Sequence, residues 1–530
     1  MSDLNKLQHL FAQGRISRRE FMTRASALGL AAAAPGFMSG SAFAAEPRKG
    51  GHFKLGVGAG STTDSLDPAT YLDTYMQTVG HGHHAYLMEI SKDSEAIPEL
   101  AESLEPSSDA KTWTMKLKSG VEFHNGKTVT AEDVIASYNH HRGEDSKSAA
   151  KELLEQVEDM TAKGKDTVVF TLKGGNADFP YVMTDYHLPI MPSMDGKVDA
   201  TSGIGAGAMK IESYDPGVKT ELVRNENYFK DGRGHFDSAE VLAIKDVTAR
   251  TNALQTGQIH AMDRCDLKTV HLLKRNNDLE VIQTTGTQHY TMPMHTNTAP
   301  FNDNNVRMAL KHAIDRQELL DKILRGFGKV GNDHPISPAQ RFFNEDLEQR
   351  TYDPDKARSY LKKAGLDSLS VDLSASDAAF AGAVDAAVLY KEQAAKAGIN
   401  VNVVREPDDG YWSNVWLKKP FCMCYWGGRP TADWMFSIAY AAGANWNDTY
   451  WEHDRFNKLL VEARAELDDA KRSEMYNEMQ QIVSNEGGVI MPMYASYVIA
   501  LSNQVGHGEI APNWDLDGNR SLERWWLTEA

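Results

Sequence analysis

Pro300-Phe301-Asn302-Asp303-Asn304-Asn305-Val306-Arg307-Met308-Ala309-Leu310-Lys311-His312-Ala313-Ile314-Asp315-Arg316 carries apolar residues at 306, 309/310 and 313/314, and the pattern continues at 319/320 and 323/324. This is the three-to-four-residue spacing of a helix with one buried face. Asp303 is a candidate N-cap, because a short carboxylate there accepts from the first orphaned amides, and Gly326 is a candidate stop. The spacing predicts a helix over 303–326.

Further along the chain, Asp353-Pro354 opens a helix with proline at its first position, and that helix ends at Gly365. Residues 380–397 read as a helix stopped by Gly398, followed by a strand from Ile399 to Val404, and 454–486 as two more helices. Toward the N-terminus, Gly51 to Val57 reads as a strand and Ser65-Leu66-Asp67-Pro68-Ala69 as a turn. Residues 112–118 alternate strictly, so Trp113, Met115 and Leu117 share one face of a strand. Asn125-Gly126 is a tight-turn signal, Thr130 an N-cap, and Asp166 to Lys173 another strand. Lys210–Ser213 and Thr220–Arg224 read as two strands joined at Pro216-Gly217, and Arg250–Gln258 as a short helix. Strands and helices interleave throughout, which argues for α/β or α+β layers. The sequence shows no internal repeat and no low-complexity segment.

Composition removes several function classes. The chain has 530 residues, enough for about three domains on a length prior, with 41% hydrophobic and 24% charged residues. Acidic residues outnumber basic ones, 73 to 56. Phosphate binding wants a basic face, so no nucleic-acid partner is expected. Three cysteines, Cys265, Cys422 and Cys424, make a disulfide framework an unsuitable reading.

The N-terminus has the layout of an address. Ser17-Arg18-Arg19-Glu20-Phe21-Met22 precedes an apolar run from Ala25 to Ala34, Pro35-Gly36 breaks it, and Ala42-Phe43-Ala44 supplies small residues for a signal peptidase. The paired arginines point to the twin-arginine subtype, with residues 1–44 removed. The run is too short for a span, which needs about 20 residues. No cysteine near the cleavage site could take a lipid. The mature chain is therefore expected free in the periplasm.

Several of these landmarks, in order, resemble the extracytoplasmic solute-binding proteins of the dipeptide, oligopeptide and nickel class, also called family 5. The resemblance rests on Ser65-Leu66-Asp67-Pro68, on Gly120-Val121-Glu122-Phe123-His124-Asn125-Gly126 with Thr130-Ala131-Glu132-Asp133-Val134, on Gly203 to Lys210, and on Arg224-Asn225-Glu226-Asn227-Tyr228-Phe229. Its most specific parts are the stretch quoted at the start and Tyr352-Asp353-Pro354-Asp355-Lys356-Ala357. It implies an α/β, two-lobed periplasmic binding protein fold (type II-like) with an extra small domain. The first lobe would be discontinuous, at 46–85, 200–294 and 495–530, the extra domain at 86–199 and the second lobe at 295–494. It implies a monomeric substrate-binding protein that captures a small peptide or amino-acid-like solute, a cationic one included, and hands it to the permease of an ABC importer.

The candidate ligand rim lies where tryptophans concentrate: Trp412, Trp416, Trp426, Trp434, Trp446 and Trp451 all fall between 412 and 451. Phe421 to Trp426 reads as a buried strand ended by Gly427-Gly428, and Arg429-Pro430-Thr431-Ala432-Asp433-Trp434 as a loop. Glycines at a strand end, with an acid among aromatics, suit a binding rim. In peptide-binding members an aspartate after this strand meets the ligand's amino group, and Asp433 is the matching position. The usual Gly-Asp-Pro-type segment is replaced here, so Arg429 could instead hold a carboxylate, and Trp426, Trp434 and Trp446 could face a cation. Asp433 could equally cap the following helix. Asn445 and Tyr290 complete the candidate set, Tyr290 also reading as a packed aromatic.

Metal and catalytic readings are weaker. His81-Gly82-His83-His84 lacks a companion cluster and suits a solvated or helix-face reading better than a metal, although a nickel-carrying branch of the family exists. Cys422 and Cys424 point the same way from one strand, which suits core packing. Gly-x-Ser-x-Gly, His-Glu-x-x-His and Gly-x-x-x-x-Gly-Lys are absent, so no cofactor and no enzyme is expected. An exported enzyme or a peptide-binding chaperone is the alternative.

Overall fold

A computed structural model describes residues 47–528 except 145, 149 and 408–410. The segment read as a signal peptide, 1–44, lies outside the described residues. The protein is a two-lobed α/β molecule with an additional antiparallel sheet, and its packing follows the alternation in its strands.

The largest sheet has the order Met209–Asp215, Lys219–Arg224, Ser238–Ala243, His52–Val57, Ala261–Met262, Val489–Ser502, Leu279–Pro293, Cys424–Trp426, with Gly328–Val330 also paired to Val489–Ser502. His52–Val57 runs parallel to both of its neighbours. Phe53, Leu55 and Val57 face one core with Val79, Val241, Leu501 and Trp525. Two strands are long enough to serve both lobes. Leu279–Pro293 and Val489–Ser502 pair antiparallel along their length. Near one end Ile499 and Leu501 pack with Phe53. Near the other, Met292, Ile490 and Met493 pack with Leu310, Ile314 and Tyr390 in a separate core. The pairing register shifts between Thr285 and His289. A bulge there bends the ribbon where the chain leaves one core for the other.

In the second lobe, Leu369–Ala375 and Ile399–Arg405 are parallel strands joined by the helix Ala383–Ala395. The additional sheet, ordered Ala101–Pro106, Thr112–Leu117, Thr167–Leu172, Val157–Ala162, has its own core. Trp113, Met115 and Leu117 are all buried in it, as the alternation predicts. The helix Ala131–His140 starts at Thr130, whose N–H and hydroxyl both donate to the Asp133 carboxylate.

Three sequence readings need correction. The helix expected over 303–326 is two helices, Asn304–His312 and Arg316–Ile323. Asp315 separates them: its carboxylate accepts from the Glu318 amide at 3.0 Å and so starts a new helix. The short helix expected over 250–258 runs Val247–Gln255, capped by Asp246. The strand expected from 421 is regular only over Cys424–Trp426, with Phe421 and Cys422 in isolated bridges to Met294 and Ser374.

Two polar residues of the opening stretch tie it to a distant helix. Lys311 is fully buried and donates to the Ser484 and Gly487 carbonyls at 2.8 Å, while Arg307 donates to Glu486 O at 2.6 Å. They satisfy the orphaned carbonyl end of Asp469–Glu486, where positive charge is favourable.

Candidate functional site

The rim is built outward from the sheet. Cys424–Trp426 pairs with the long strand through His289, Tyr290 and Thr291, which sets Trp426 beside His289. Gly428 then turns the chain at φ 77°. A Cβ on it would lie 2.3 Å from Thr287 Oγ1, so only glycine fits. Thr287 in turn donates to Gly427 O at 3.1 Å. The following helix is Ala432–Ala439, and its N-cap is Thr431, whose hydroxyl accepts from the Trp434 amide. Asp433 therefore sits inside the first turn rather than at the cap, and the loop expected over 429–434 is already helical from Ala432.

Arg429 faces a cavity of about 450 Å³. The second lobe contributes Arg429, Trp434 and Trp446; Tyr186 and Asp185 come from the segment after the additional sheet, and Trp514 from beyond the second long strand. The Arg429 guanidinium donates to the adjacent Gly428 carbonyl at 2.6 Å and lies 5.9 Å from the Trp434 ring centre. No carboxylate among the described residues is within ion-pair distance of it. Burial pushes its pKa below the ordinary arginine value, with Tyr186 and Asp185 pulling the other way.

The acids nearby are engaged, apart from Asp185 Oδ2, which accepts no hydrogen bond among the described residues. Asp185 Oδ1 accepts from both the amide and Nδ1 of His187, at 2.9 and 2.6 Å, and His187 Nε2 reaches Tyr71 O at 2.8 Å. Burial opposes charge on His187, but Asp185 and the Tyr71 carbonyl raise its pKa overall. Both Asp433 oxygens accept from Arg464 Nε at 3.1 Å, and Arg464 also donates to Ser437 Oγ at 2.6 Å. Burial lifts the Asp433 carboxyl to about 6 against the pull of Arg464. Beside this pair Asp178 meets Arg472 at 2.7 Å, both buried. Asp433, Arg464 and Asp178 line a second cavity of about 300 Å³ that shares Trp434 and Ser437 with the first.

The tryptophans form a packed cluster. Trp416, Trp426 and Trp446 have ring centres 6.0–6.2 Å apart, and Trp412 joins through Trp416. Buried Asp448 accepts from the indole N–H groups of Trp416 and Trp426 at 3.1 and 3.3 Å. Burial raises its carboxyl to about 6, while the indole bonds lower it. Trp426 is thus buried beneath the rim, whereas Trp446 is 44% exposed and faces the cavity. Asn445 lines a separate, more open depression with Thr296 and Tyr450. Tyr290 stacks on Phe380 with ring centres 3.9 Å apart.

Among the cavity and cluster residues that escaped the sequence reading are Asp185, Tyr186, Trp514 and Asp448. Asp448 had a signal, since buried indoles need an acceptor and an acid lies within the tryptophan run. The other three lie far along the chain from the rim and carry no local pattern.

The histidine cluster is on a helix, Thr74–His83, but it is buried rather than solvated. Nδ1 of His81 and of His83 each meets a carbonyl one turn back, at 2.8 and 2.7 Å. Burial lowers their pKa values to about 3 and about 4 and that of His84 well below the usual value. Cys422 and Cys424 are buried and free. Among the described residues, the acids close enough to share a cation are Glu89, Glu99 and Glu523, and Lys230 already fills that space at 2.5–3.1 Å, with Arg520 beside it.

Comparison with known proteins places these features in a wider group. Residues 95–448 match the bacterial extracellular solute-binding proteins, family 5 middle region. The oligopeptide-binding protein AppA of Bacillus subtilis is 24% identical, with 92% of this chain and 93% of that protein aligned. The glutathione-binding protein GsiB of Escherichia coli O6:K15:H31 is 25% identical over 92% and 96%. The structure of the periplasmic binding protein DppA of Helicobacter pylori, solved with the peptide STSA, is similar with a TM-score of 0.73 at 22% identity, over 91% of this chain and 99% of that one.

Proposed function

This chain belongs to the bacterial extracellular solute-binding proteins of family 5, and on that premise we propose that it captures a small carboxylate-bearing peptide or amino-acid-like solute between its lobes and delivers it to the permease of an ABC importer. The family consists of solute-binding proteins, not enzymes. The observation that carries the ligand reading is Arg429, a guanidinium without a carboxylate partner in an aromatic-walled cavity. Taking a cation out of water is costly unless an anion replaces the water, and a planar guanidinium matches a carboxylate through two parallel hydrogen bonds. The cavity volume suits a small solute. AppA, GsiB and DppA are described with peptides or glutathione, all of which end in carboxylates.

The first lobe is placed at 46–85, 200–294 and 495–530, the extra domain at 86–199 and the second lobe at 295–494; three separate cores support three bodies, with Met292, Met294 and Ala495 packing in the core of the second lobe and Ala85 and Ala206 in that of the extra domain. Export to the periplasm by the twin-arginine route rests on Arg18 and Arg19, and no helix among the described residues is long and apolar enough to cross a membrane. The working form is a monomer.

Calorimetry with a dipeptide library tests the ligand reading. Arg429→Met removes one partner of a buried charge pair, typically worth ~2–5 kcal/mol, so wild-type binding is expected to weaken by more than about a hundredfold at the upper end of that range. Near-wild-type affinity in the variant sinks the carboxylate anchor.

A further inference from the structure

Among the described residues, two acids line the cavity that holds Arg429: Asp185 and Glu152. Glu152 is exposed, where an ion pair is worth little. The Asp185 side chain is only 11% exposed and sits in a fixed turn. Its amide donates to Val182 O at 3.2 Å, and its carbonyl accepts from the Leu188 amide at 2.9 Å. Its Oδ1 meets both the amide and Nδ1 of His187, whose other ring nitrogen is anchored at Tyr71 O. The carboxylate is thereby held through one oxygen, and Oδ2 accepts no hydrogen bond among the described residues. Burial opposes charge on Asp185, but His187 holds its carboxyl below the ordinary range, so it is ionised at neutral pH. Arg429 is fixed in turn by the Gly428 carbonyl and the Trp434 ring, and no ion pair joins it to Asp185. One cavity therefore presents a cation and an anion, held apart, each with hydrogen-bonding capacity unused.

We infer that Asp185 is the receptor for the solute's ammonium group, with Oδ2 accepting its N–H while Arg429 takes the carboxylate, so that the solute is a zwitterion with a free amino group. This rests on the ligand reading above and deepens it. The position that the resemblance assigned to the amino group is not available: both oxygens of Asp433 are bound by Arg464, which also holds Ser437. Asp178 lies on the second cavity, its charge matched by Arg472 at 2.7 Å. Asp448 accepts the indole hydrogens of Trp416 and Trp426 beneath the rim. An ammonium at Asp185 makes a charge-assisted hydrogen bond in a largely desolvated place, where such bonds are strong. A solute whose amine is blocked covers the same carboxylate and offers it no charge, and a buried charge left without a partner is costly. Trp446, Trp514 and Tyr186 remain as walls for the apolar part of the solute.

The test is calorimetry on the mature protein with a dipeptide library prepared in three forms: free peptide, N-acetyl acid and C-terminal amide. The N-acetyl acids and the amides are each expected to bind at least about thirtyfold more weakly than the free peptides. In Asp185→Asn the free and N-acetyl forms are expected to bind within about threefold of each other, because blocking the amine then removes nothing further. Asparagine keeps an acceptor for the His187 amide, and N-acetyl-acid binding within about threefold of wild type shows that the variant is folded. The comparison of ligand forms on the wild-type protein needs no variant. N-acetyl acids that bind wild type as tightly as free peptides overturn this inference and leave the carboxylate anchor standing. A penalty for N-acetylation that persists in Asp185→Asn assigns the ammonium to another group and overturns it as well. Amides that bind as well as acids, or no binding by any form, overturn the anchor and this inference with it.

Discussion

Arg429 and Asp433 lie four residues apart on one rim, and their surroundings are opposite. Arg429 is charged and partly buried, with no anion beside it. Asp433 is buried and locked to Arg464, next to the more deeply buried pair Asp178–Arg472. The first arrangement leaves folding energy unrealised and suits a ligand. The second satisfies its charges internally and suits a wedge that holds two parts of the chain together. Ala177 N donates to Arg464 O at 2.7 Å on the same contact, so the wedge joins backbone as well as side chains. Residue type alone would assign both positions to the ligand, and partners tell them apart.

The largest effect expected from this contrast is on stability. Asp178→Ala strands Arg472 in the interior and should cost ~3–5 kcal/mol, read as a lower urea midpoint. Arg429→Met removes a charge that has no protein partner, so its midpoint should stay level or rise. Equal losses in the two variants would erase the distinction between wedge and receptor.

Acidification probes the same charges together. His83, His124, His289 and His312 are held by burial at about 4, below the ordinary 6.5. In the unfolded chain they take up protons as pH falls through 6.5, while the folded protein does so only near 4, so stability drops across that window. Asp433 and Asp448, raised to about 6 by burial, act in the opposite sense: protonation favours the folded state between about 6 and 3.8. The histidines outnumber the acids, so the melting temperature should fall from pH 7 to pH 4.5. A flat or rising profile would mean that the acids dominate.

The smallest effect expected is that of the cap. Thr431→Ala removes one side-chain bond to the Trp434 amide and should cost ~1 kcal/mol, with affinity for dipeptides unchanged within about threefold. A large loss of affinity would show that the cap, and not only Arg429, shapes the rim.

Much of the fold was legible locally. Trp113, Met115 and Leu117 alternate and are buried together. Pro354 and Gly365 bracket a helix that runs Pro354–Lys363. The twin helix from 304 was legible only in part, since the apolar spacing of two consecutive helices matches that of one and only the Asp315 cap separates them. The site was legible as a rim but not as a cavity. Arg429, Trp434 and Trp446 come from the stretch that holds most of the tryptophans, whereas Tyr186 and Trp514 come from distant parts of the chain. Tyr290 and Trp426 match the aromatic pattern of a site, yet one stacks on Phe380 and the other lies under Trp446.

By itself the sequence determined the alternation of strands and helices, their caps and stops, and the ordered motifs of the family, because periodicity and capping act over a few residues. Tertiary structure alone decided which charge is free. Lys311 and Arg307 close a helix end more than 170 residues away, Arg464 is matched to Asp433, and Arg429 is left without an anion. A charge in a protein interior is governed by whatever neighbour comes within a few ångströms, and that neighbour is set by how the sheets and helices pack.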